Sequence, residues 1–254
     1  MARRSSQVVE QRPVDQRLVD DLVQEIDGAL RAAGNPERAV EVQRYLKSQL
    51  TFYGAGVPAV RAAAKRVRKA HPALARPTAV ALAEALWREP IHERRMAAIE
   101  LLALYQDRLD PADMALLERL LRESKTWALI DALSANVAGG MVERHPELCA
   151  VLDRWATDPD FWIRRSALLA LLVPLRNGGG DFERFGRYAD AMLEEKEFFI
   201  RKAIGWVLRD TGKKTPDRVA AWLAPRAARA SGLTLREATK HLPEGTRRRL
   251  LGER

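Results

Sequence analysis

The sequence predicts an all-α protein, an α-solenoid in which about six helix pairs form a superhelix with a concave groove. Apolar residues recur at helical spacing, and no run alternates apolar and polar residues as a half-buried strand would. Helical segments also repeat about every 35 residues. The repeats align on six residues, with steps of 35, 35, 35, 37 and 35: Val57, His92, Trp127, Trp162, Phe199 and Thr234.

A second helix completes the pair in each repeat. The sequence predicts companion helices over residues 78–87, 111–121, 146–155 and 181–192. A period of this length, with two helices and no strand, is typical of α-solenoids. The patterns of tetratricopeptide and ankyrin repeats are absent from the sequence, which leaves HEAT-like repeats.

The chain before the repeats consists of a tail, two helices and a loop. Residues 1–13 are polar, lack periodicity and end at a proline, so they are predicted to be a disordered tail. Helices are predicted over residues 15–33 and about 37–49. Residues 52–58 hold two glycines and a proline and are predicted to be a loop. The whole of residues 14–254 is predicted to form a single HEAT-like repeat domain.

Length and composition favour a globular protein with a polyanionic partner. The 254 residues are 47% hydrophobic, which is enough to bury a core. They include 43 Lys and Arg against 34 Asp and Glu, a net charge of +9 that favours phosphate-rich partners. Composition leaves one alternative open, which is a basic surface that is merely solvated.

Cysteine, histidine and hydropathy patterns exclude several kinds of site. One cysteine, Cys149, excludes a disulfide framework and predicts a buried thiol in a cytoplasmic protein. The four histidines do not lie at metal-ligand spacing, so neither a metal site nor a cofactor is expected. No apolar run is long enough to cross a membrane and no export signal is recognisable, so no membrane association is expected.

One helical run, residues 197–210, has two contrasting faces. Four residues are predicted to form its buried apolar stripe: Phe198, Phe199, Ala203 and Val207. Lys202, Trp206 and Arg209 stand at i, i+4 and i+7 on another face. A tryptophan between two cations is typical of a surface that contacts something flat and anionic, rather than of a core.

Trp127 and Asp131 form a second candidate constellation. Their i and i+4 spacing places both on one face of a helix. For an isolated pair, a half-buried tryptophan beside a solvated or capping aspartate is the commoner case. The repeat register, however, puts Arg165 and the helix of Lys202 at corresponding positions in the next two repeats, where they are predicted to line the same groove. The other four tryptophans are predicted to be core residues: Trp87, Trp155, Trp162 and Trp222.

These motifs resemble those of the AlkD-type DNA alkylation-repair glycosylases, a family with HEAT-like repeats. The resemblance covers about residues 15–245. The most specific motif of this resemblance is the run Glu-Lys-Glu-Phe-Phe-Ile-Arg-Lys-Ala-Ile-Gly-Trp-Val-Leu-Arg at residues 195–209. The Trp127-x3-Asp131 pair, the run 162–165 and the loop 52–58 support it.

The resemblance assigns roles to individual residues. Three are implied to form the catalytic cleft: Asp131, Trp127 and Trp206. Arg165 is implied to contact the DNA backbone, and Lys202 and Arg209 are expected to bind further phosphates.

The implied activity is that of a monofunctional DNA glycosylase of base excision repair, which hydrolyses the N-glycosidic bond of cationic N3- or N7-alkylated purines in duplex DNA. Such a base leaves as a neutral molecule without a general acid, so one carboxylate can stabilise the sugar cation and orient water. The expected partner is double-stranded DNA with alkylated purines, bound by a monomer that needs no cofactor and no obligate protein partner. An Ala- and Arg-rich composition suggests a high-GC bacterium, and the expected location is the cytoplasm, at the nucleoid.

Two alternatives to this activity remain open. A glycosylase for bulky adenine adducts of natural products, acting in self-resistance, fits the same residues. A non-catalytic HEAT-like scaffold that binds DNA also explains the repeats and the charge, but it does not require Asp131 together with both tryptophans. The sequence specifies neither the physiological lesion nor whether the base is flipped out of the helix.

Overall fold

The computed structural model describes residues 13–252, and the predicted all-α fold is confirmed over that range. Strands are absent from the described residues, which contain only an isolated bridge between Thr51 and Ile91. No helix in the same range is long and apolar enough to cross a membrane. The disordered tail predicted for residues 1–13 lies outside the described residues, except for Pro13.

The chain divides between Leu109 and Asp110 into two compact units. This division does not test the prediction of a single domain over residues 14–254. Each repeat of a solenoid contacts mainly its neighbours, so an array of repeats also separates into blocks. The single domain therefore stays a prediction, and each unit is described by itself.

The first unit contains five α-helices within its described residues: α1 (Gln16–Ala32), α2 (Pro36–Leu46), α3 (Val57–Ala70), α4 (Arg76–Arg88) and α5 (His92–Leu104). Helix α2 ends three residues earlier than predicted because Lys47 adopts a left-handed backbone, with φ of 48°. The predicted loop after it is held by Glu93 of α5. The Glu93 carboxylate is buried and accepts hydrogen bonds from the backbone nitrogens of Tyr53 (3.0 Å) and Gly54 (2.8 Å).

The second unit contains the remaining described helices: α6 (Met114–Ser124), α7 (Trp127–Leu133), α8 (Gly139–Arg144), α9 (Cys149–Trp155), α10 (Phe161–Leu169), α11 (Leu172–Arg176), α12 (Phe182–Ala191), α13 (Phe198–Gly212), α14 (Pro216–Leu223), α15 (Gly232–Ala238) and α16 (Glu244–Leu251). A π-helical turn over Ser134–Ala138 joins α7 to α8 without a break. Next to this turn Gly139 approaches the residue that follows α10 so closely that a Cβ on Gly139 would lie 2.5 Å from the Ala170 backbone oxygen.

The predicted repeat register agrees with the helix starts. The six aligned residues fall within the first three residues of α3, α5, α7, α10, α13 and α15. The companion helices predicted over 78–87, 111–121, 146–155 and 181–192 are also present, the second and third beginning with a 3₁₀ turn. In the second unit α7 packs on α10, α10 on α13 and α13 on α15. First helices of successive repeats are therefore neighbours there, as the register requires.

Two of the four predicted core tryptophans are buried and two are not. Trp87 and Trp155 are fully buried, and the Trp155 indole donates to the Glu118 carboxylate at 2.9 Å. Trp162 and Trp222 are half-exposed, so their prediction as core residues is wrong. Both lie where a helix surface meets solvent, with other aromatic or cationic side chains against one face of the ring.

Two further predictions about burial are corrected by the structure. Cys149 is half-exposed rather than buried, because it begins α9 instead of lying inside a longer apolar helix. Phe198 is 55% exposed and Phe199 half-buried, so they do not belong to the apolar stripe of α13. The buried stripe of α13 instead contains five apolar residues: Ile200, Ala203, Ile204, Val207 and Leu208.

Candidate active site

Asp131 and Arg165 form an ion pair between the first helices of two successive repeats. Asp131 lies one turn after Trp127, which begins α7, and Arg165 lies on α10. The Arg165 guanidinium donates through Nε to Oδ1 at 2.7 Å and through Nη2 to Oδ2 at 2.8 Å. The Asp131 side chain is 13% exposed and that of Arg165 only 3%. The pair is thus a two-point contact, in which the carboxylate keeps limited access to solvent.

Arg165 is fixed from a third helix as well. Its Nη1 donates to the backbone oxygen of Phe199 at the start of α13, and its guanidinium lies 5.8 Å from the centroid of the Phe199 ring. Three of its five N–H groups therefore donate to protein acceptors, one from each nitrogen. Its side chain is only 3% exposed in this arrangement, and the DNA-contact role of Arg165 stays a prediction.

The environment of Asp131 has opposing effects on its acidity. Burial raises the pKa of the Asp131 carboxyl above its ordinary value, while the hydrogen bonds and charge of Arg165 act in the opposite direction. The commoner arrangement for a Trp-x3-Asp pair, a solvated or capping aspartate, is not what the structure shows. Asp131 is instead a partly buried, oriented carboxylate beside a half-buried tryptophan.

Four aromatic side chains surround the start of α10 and α13. Trp162 packs against Phe161 and Phe199, with centroid distances of 4.5 and 4.7 Å, and Phe198 meets Phe199 edge-on at 5.3 Å. The two helix starts are capped by carboxylates. The Asp160 carboxylate accepts a hydrogen bond from the backbone nitrogen of Trp162 at 2.9 Å, and the Glu197 carboxylate accepts one from the backbone nitrogen of Phe199 at 3.1 Å. We call Phe161, Trp162, Phe198 and Phe199 the aromatic group.

The cationic face of α13 is present as predicted, with Lys202, Trp206 and Arg209 all half-exposed. Lys202 and Arg209 bind the same carboxylate, that of Glu237 on α15, at 2.9 and 2.6 Å. Glu237 can reach them because α13 and α15 touch at Gly205. A Cβ on Gly205 would lie 2.7 Å from the Cβ of Glu237.

Trp206 is oriented by a second buried carboxylate, Asp210, which accepts its indole N–H at 3.3 Å. Arg176 of α11 binds Asp210 at 2.7 Å and Lys213 binds it at 3.1 Å. Burial alone would raise the pKa of Asp210, but Lys213 and Arg176 outweigh burial and hold it below its ordinary value. In the same way Lys240 and Lys202 overcome burial and lower the pKa of Glu237 to about 2.

Comparison with known proteins agrees with this architecture. The sequence profile described as DNA alkylation repair enzyme matches residues 26–242, which is most of the chain. The chain belongs to the DNA alkylation repair enzyme family. A search of curated proteins finds no significant match.

Solved structures extend the comparison. A structure described as a predicted DNA alkylation repair enzyme from Enterococcus faecalis is 25% identical, has a TM-score of 0.74, and is matched over 83% of this chain and 97% of its own. AlkD2 from Streptococcus mutans has a TM-score of 0.58 at 16% identity, with 81% of this chain and 98% of that one covered. The smu.31 protein of Streptococcus mutans UA159 has a TM-score of 0.57 at 17% identity, with coverages of 81% and 100%. The last two likenesses concern the fold.

Within this DNA alkylation repair enzyme, sequence reasoning missed several charged residues around the site: Arg176, Asp210, Lys213, Glu237 and Lys240. For one of these residues, Glu237, the repeat alignment contained an indication of its role. Glu237 stands three residues after Thr234, the position at which three other repeats carry the cations Arg95, Arg165 and Lys202. A reversed charge at a repeated position indicates a partner for a neighbouring cation. Asp210 and Arg176 had no comparable signal, because they lie outside the aligned part of the repeat.

Proposed function

We propose that this DNA alkylation repair enzyme is a monofunctional DNA glycosylase that hydrolyses the N-glycosidic bond of cationic N3- or N7-alkylated purines in duplex DNA. The observation that carries the proposal is the Asp131 carboxylate, one turn from Trp127 and held at 2.7 and 2.8 Å by Arg165. Family membership supports action on alkylation damage. The orientation of a single carboxylate supports hydrolysis of a glycosidic bond.

One carboxylate suffices because the substrate supplies part of the catalysis. An alkylated purine that already carries a positive charge departs as a neutral base, so no general acid has to protonate it. The remaining barrier is the positive charge that develops on the sugar. Asp131 opposes that charge, and its lone pairs not used by Arg165 can orient the attacking water.

Arg165 is a positioning residue in this proposal. It fixes both oxygens of Asp131 and its hydrogen bonds favour the ionised carboxylate, although burial favours the neutral form. A preformed, oriented charge needs no reorganisation during the reaction, which is the main source of electrostatic catalysis.

Trp127 and Trp206 supply aromatic faces for the cationic lesion and its sugar. A cation over such a face gains roughly 0.5 to 2 kcal/mol. For Trp206 the indole N–H bound to Asp210 limits rotation of the ring. Lys202 and Arg209, on the same face of α13, are proposed to bind phosphates of the duplex, which gives affinity that is independent of sequence and weakens with salt.

The experiment is base release from a duplex that carries a single 7-methylguanine. The proposal predicts free 7-methylguanine and an intact strand with an abasic site, which alkali then cleaves. Strand cleavage without alkali would indicate a lyase. Tight binding of the duplex without release of the base would favour the alternative of a non-catalytic scaffold that binds DNA. A duplex with unmodified guanine at the same position is the control.

A glycosylase for bulky adenine adducts is the second candidate, and the aromatic group favours it. The aromatic group includes Phe199, whose carbonyl accepts a hydrogen bond from Arg165, and Phe198, which is 55% exposed. Exposed aromatic surface suits a large apolar adduct better than a methyl group. Phe198→Ala is expected to slow release of a bulky N3-adenine adduct and to leave release of 3-methyladenine unchanged. Equal effects on the two substrates would exclude this candidate.

A further inference from the structure

A second network of charged residues lies on the same unit, apart from the Asp131–Arg165 pair. It contains the two buried carboxylates Asp210 and Glu237. Five cations bind them at 2.6 to 3.4 Å: Arg176, Lys202, Arg209, Lys213 and Lys240. We call these cations the five-cation cluster. Arg209 joins its two halves, since Nη1 contacts Glu237 at 2.6 Å and Nε contacts Asp210 at 3.4 Å.

The charge of this network is not balanced. Five cations bind two carboxylates, which leaves a net charge of +3. In three other ion-paired groups among the described residues of the unit, carboxylates equal or outnumber cations: Glu118 and Asp158 with Arg122 and Arg154, Asp190 and Glu194 with Arg226 and Arg229, and Asp153 and Asp181 with Arg184. Those groups satisfy their own charges, whereas the five-cation cluster retains charge for an external anion.

The charges are also layered. The side chains of Asp210 and Glu237 are 4% and 9% exposed, while the five cations are 26–50% exposed. Solvent, and any molecule that approaches from it, therefore meets the positive layer. The carboxylates beneath remain ionised at neutral pH, because the cations hold the pKa of each below its ordinary value.

The buried carboxylates hold the cations in place before any phosphate binds. A free lysine or arginine loses rotamer entropy when it binds phosphate, and a side chain already held by a carboxylate loses less. Trp206 stands on the same face of α13 and binds the same Asp210. A DNA strand on this surface therefore passes beside the tryptophan assigned to the cleft.

We propose that Arg176, Lys213 and Lys240 act together with Lys202 and Arg209 as one site for successive phosphates of a DNA strand. Asp210 and Glu237 are the positioning residues beneath this site. The inference rests on the proposed function, which makes duplex DNA the ligand, and it adds three binding residues and two positioning residues to it.

The test compares two triple variants of equal net charge. The first neutralises the three new members, Arg176→Gln, Lys213→Gln and Lys240→Gln. It leaves Lys202 and Arg209 on Glu237, and Arg209 still contacts Asp210 at 3.4 Å. Each carboxylate thus keeps a cation, and the fold is expected to persist. The control neutralises three cations outside the cluster with similar exposure, 27–48%: Arg119→Gln, Arg226→Gln and Arg229→Gln.

The measurement is the affinity for an undamaged duplex as a function of salt concentration, with circular dichroism to verify folding. Each phosphate contact contributes about 0.9 to the slope of log affinity against log salt. The cluster variant is expected to reduce that slope by about 2 to 3, and the control variant to change it much less. A reduction no larger than that of the control would overturn the proposal.

This binding assay separates the inference from the proposed function. If the wild-type protein releases 7-methylguanine but the two triple variants bind alike, the cluster proposal fails and the glycosylase stands. If only the cluster variant shows the reduced slope but the wild-type protein releases no base, the phosphate site stands and the glycosylase fails.

Discussion

Arg165 reaches back 34 residues to bind both oxygens of Asp131, at 2.7 and 2.8 Å, and with its remaining nitrogen it binds the backbone of Phe199. One buried side chain thereby connects three successive first helices of the repeat array. The same contact orients the carboxylate on which the proposed chemistry depends. Under the proposed function, stability and catalysis are therefore coupled at this pair.

Removing either partner of the pair is expected to destabilise the protein. Arg165→Gln leaves a partly buried carboxylate without its cation, which costs about 3 to 5 kcal/mol for a buried pair. The double variant Asp131→Asn with Arg165→Gln leaves no unpaired charge, so its loss is expected to be smaller than the sum of the single losses. Urea unfolding of the two single variants and the double variant measures these losses in the free energy of unfolding. Additive losses would show that the two residues do not interact.

The rate of base release is expected to fall at low pH, because the mechanism requires ionised Asp131. Burial raises the pKa of Asp131 above the ordinary aspartate value, so the rate is lost at a higher pH than for an exposed aspartate. Arg165 lowers that pKa, and its removal raises it further. Arg165→Gln should therefore move the acid limb of the pH–rate profile to higher pH.

The control for this profile is Arg122→Gln, which removes a similar two-point contact from Asp158. It is expected to leave the acid limb in place. Should Arg165→Gln fail to fold, Arg165→Lys is the substitute, because lysine retains the charge but cannot bind both carboxylate oxygens as the guanidinium does. It should shift the acid limb of the pH–rate profile in the same direction by a smaller amount. An unchanged limb in a folded Arg165 variant would contradict the positioning role.

Gly205→Ala is expected to separate α13 from α15. The added Cβ would lie 2.7 Å from the Glu237 Cβ and 3.2 Å from the Thr234 oxygen, so α15 must move, at a cost of about 1 to 3 kcal/mol. Gly28→Ala in α1, where a Cβ meets nothing within 4 Å, should instead be neutral or stabilising. Thermal unfolding of both variants checks this contrast. Equal melting temperatures would mean that the contact at Gly205 is readily relaxed.

Trp127→Ala and Trp206→Ala are each expected to slow base release less than the loss of Asp131 does. A cation–aromatic contact of roughly 0.5 to 2 kcal/mol corresponds to about a 2- to 30-fold change in rate. Trp206→Phe keeps a smaller aromatic face and loses the hydrogen bond to Asp210, so it should fall between the wild type and the alanine variant. Single-turnover rates on one 7-methylguanine duplex allow the comparison. Alanine variants with wild-type rates would remove the tryptophans from the cleft.

The helices and their register could be predicted because they depend on local periodicity. A spacing near 35 residues, apolar positions at helical intervals and breaks at glycine and proline all act over short distances in the chain. The starts of α7, α10 and α13 followed from these patterns.

The ion pairs could not be predicted, because they depend on how neighbouring helices cross. Arg165 and Lys202 occupy the same position of the repeat, yet Arg165 reaches back to Asp131 and Lys202 reaches forward to Glu237. Spacing along the chain is compatible with either direction. For the same reason the sequence placed Arg165 in an open groove, whereas packing of α10 between α7 and α13 buries it.

The exposed aromatics illustrate the same limit. Phe198 and Phe199 continue a helical apolar pattern and were predicted to be buried. Phe198 is the first residue of α13, where the helix has not yet entered the core, and Ile200 begins the buried stripe instead. Periodicity identifies the faces of a helix, but the point at which a face becomes buried depends on its neighbours.

Asp131 is proposed to perform the chemical step, and single-turnover release of 7-methylguanine by Asp131→Asn measures that role. Asp158→Asn is the matched control, since that carboxylate is similarly buried and also bound by an arginine fork. Asp131→Asn is expected to lower the rate on the order of a hundredfold or more with lesion-DNA affinity nearly unchanged, while Asp158→Asn retains the wild-type rate. Release by folded Asp131→Asn at the wild-type rate would exclude Asp131 from the chemical step.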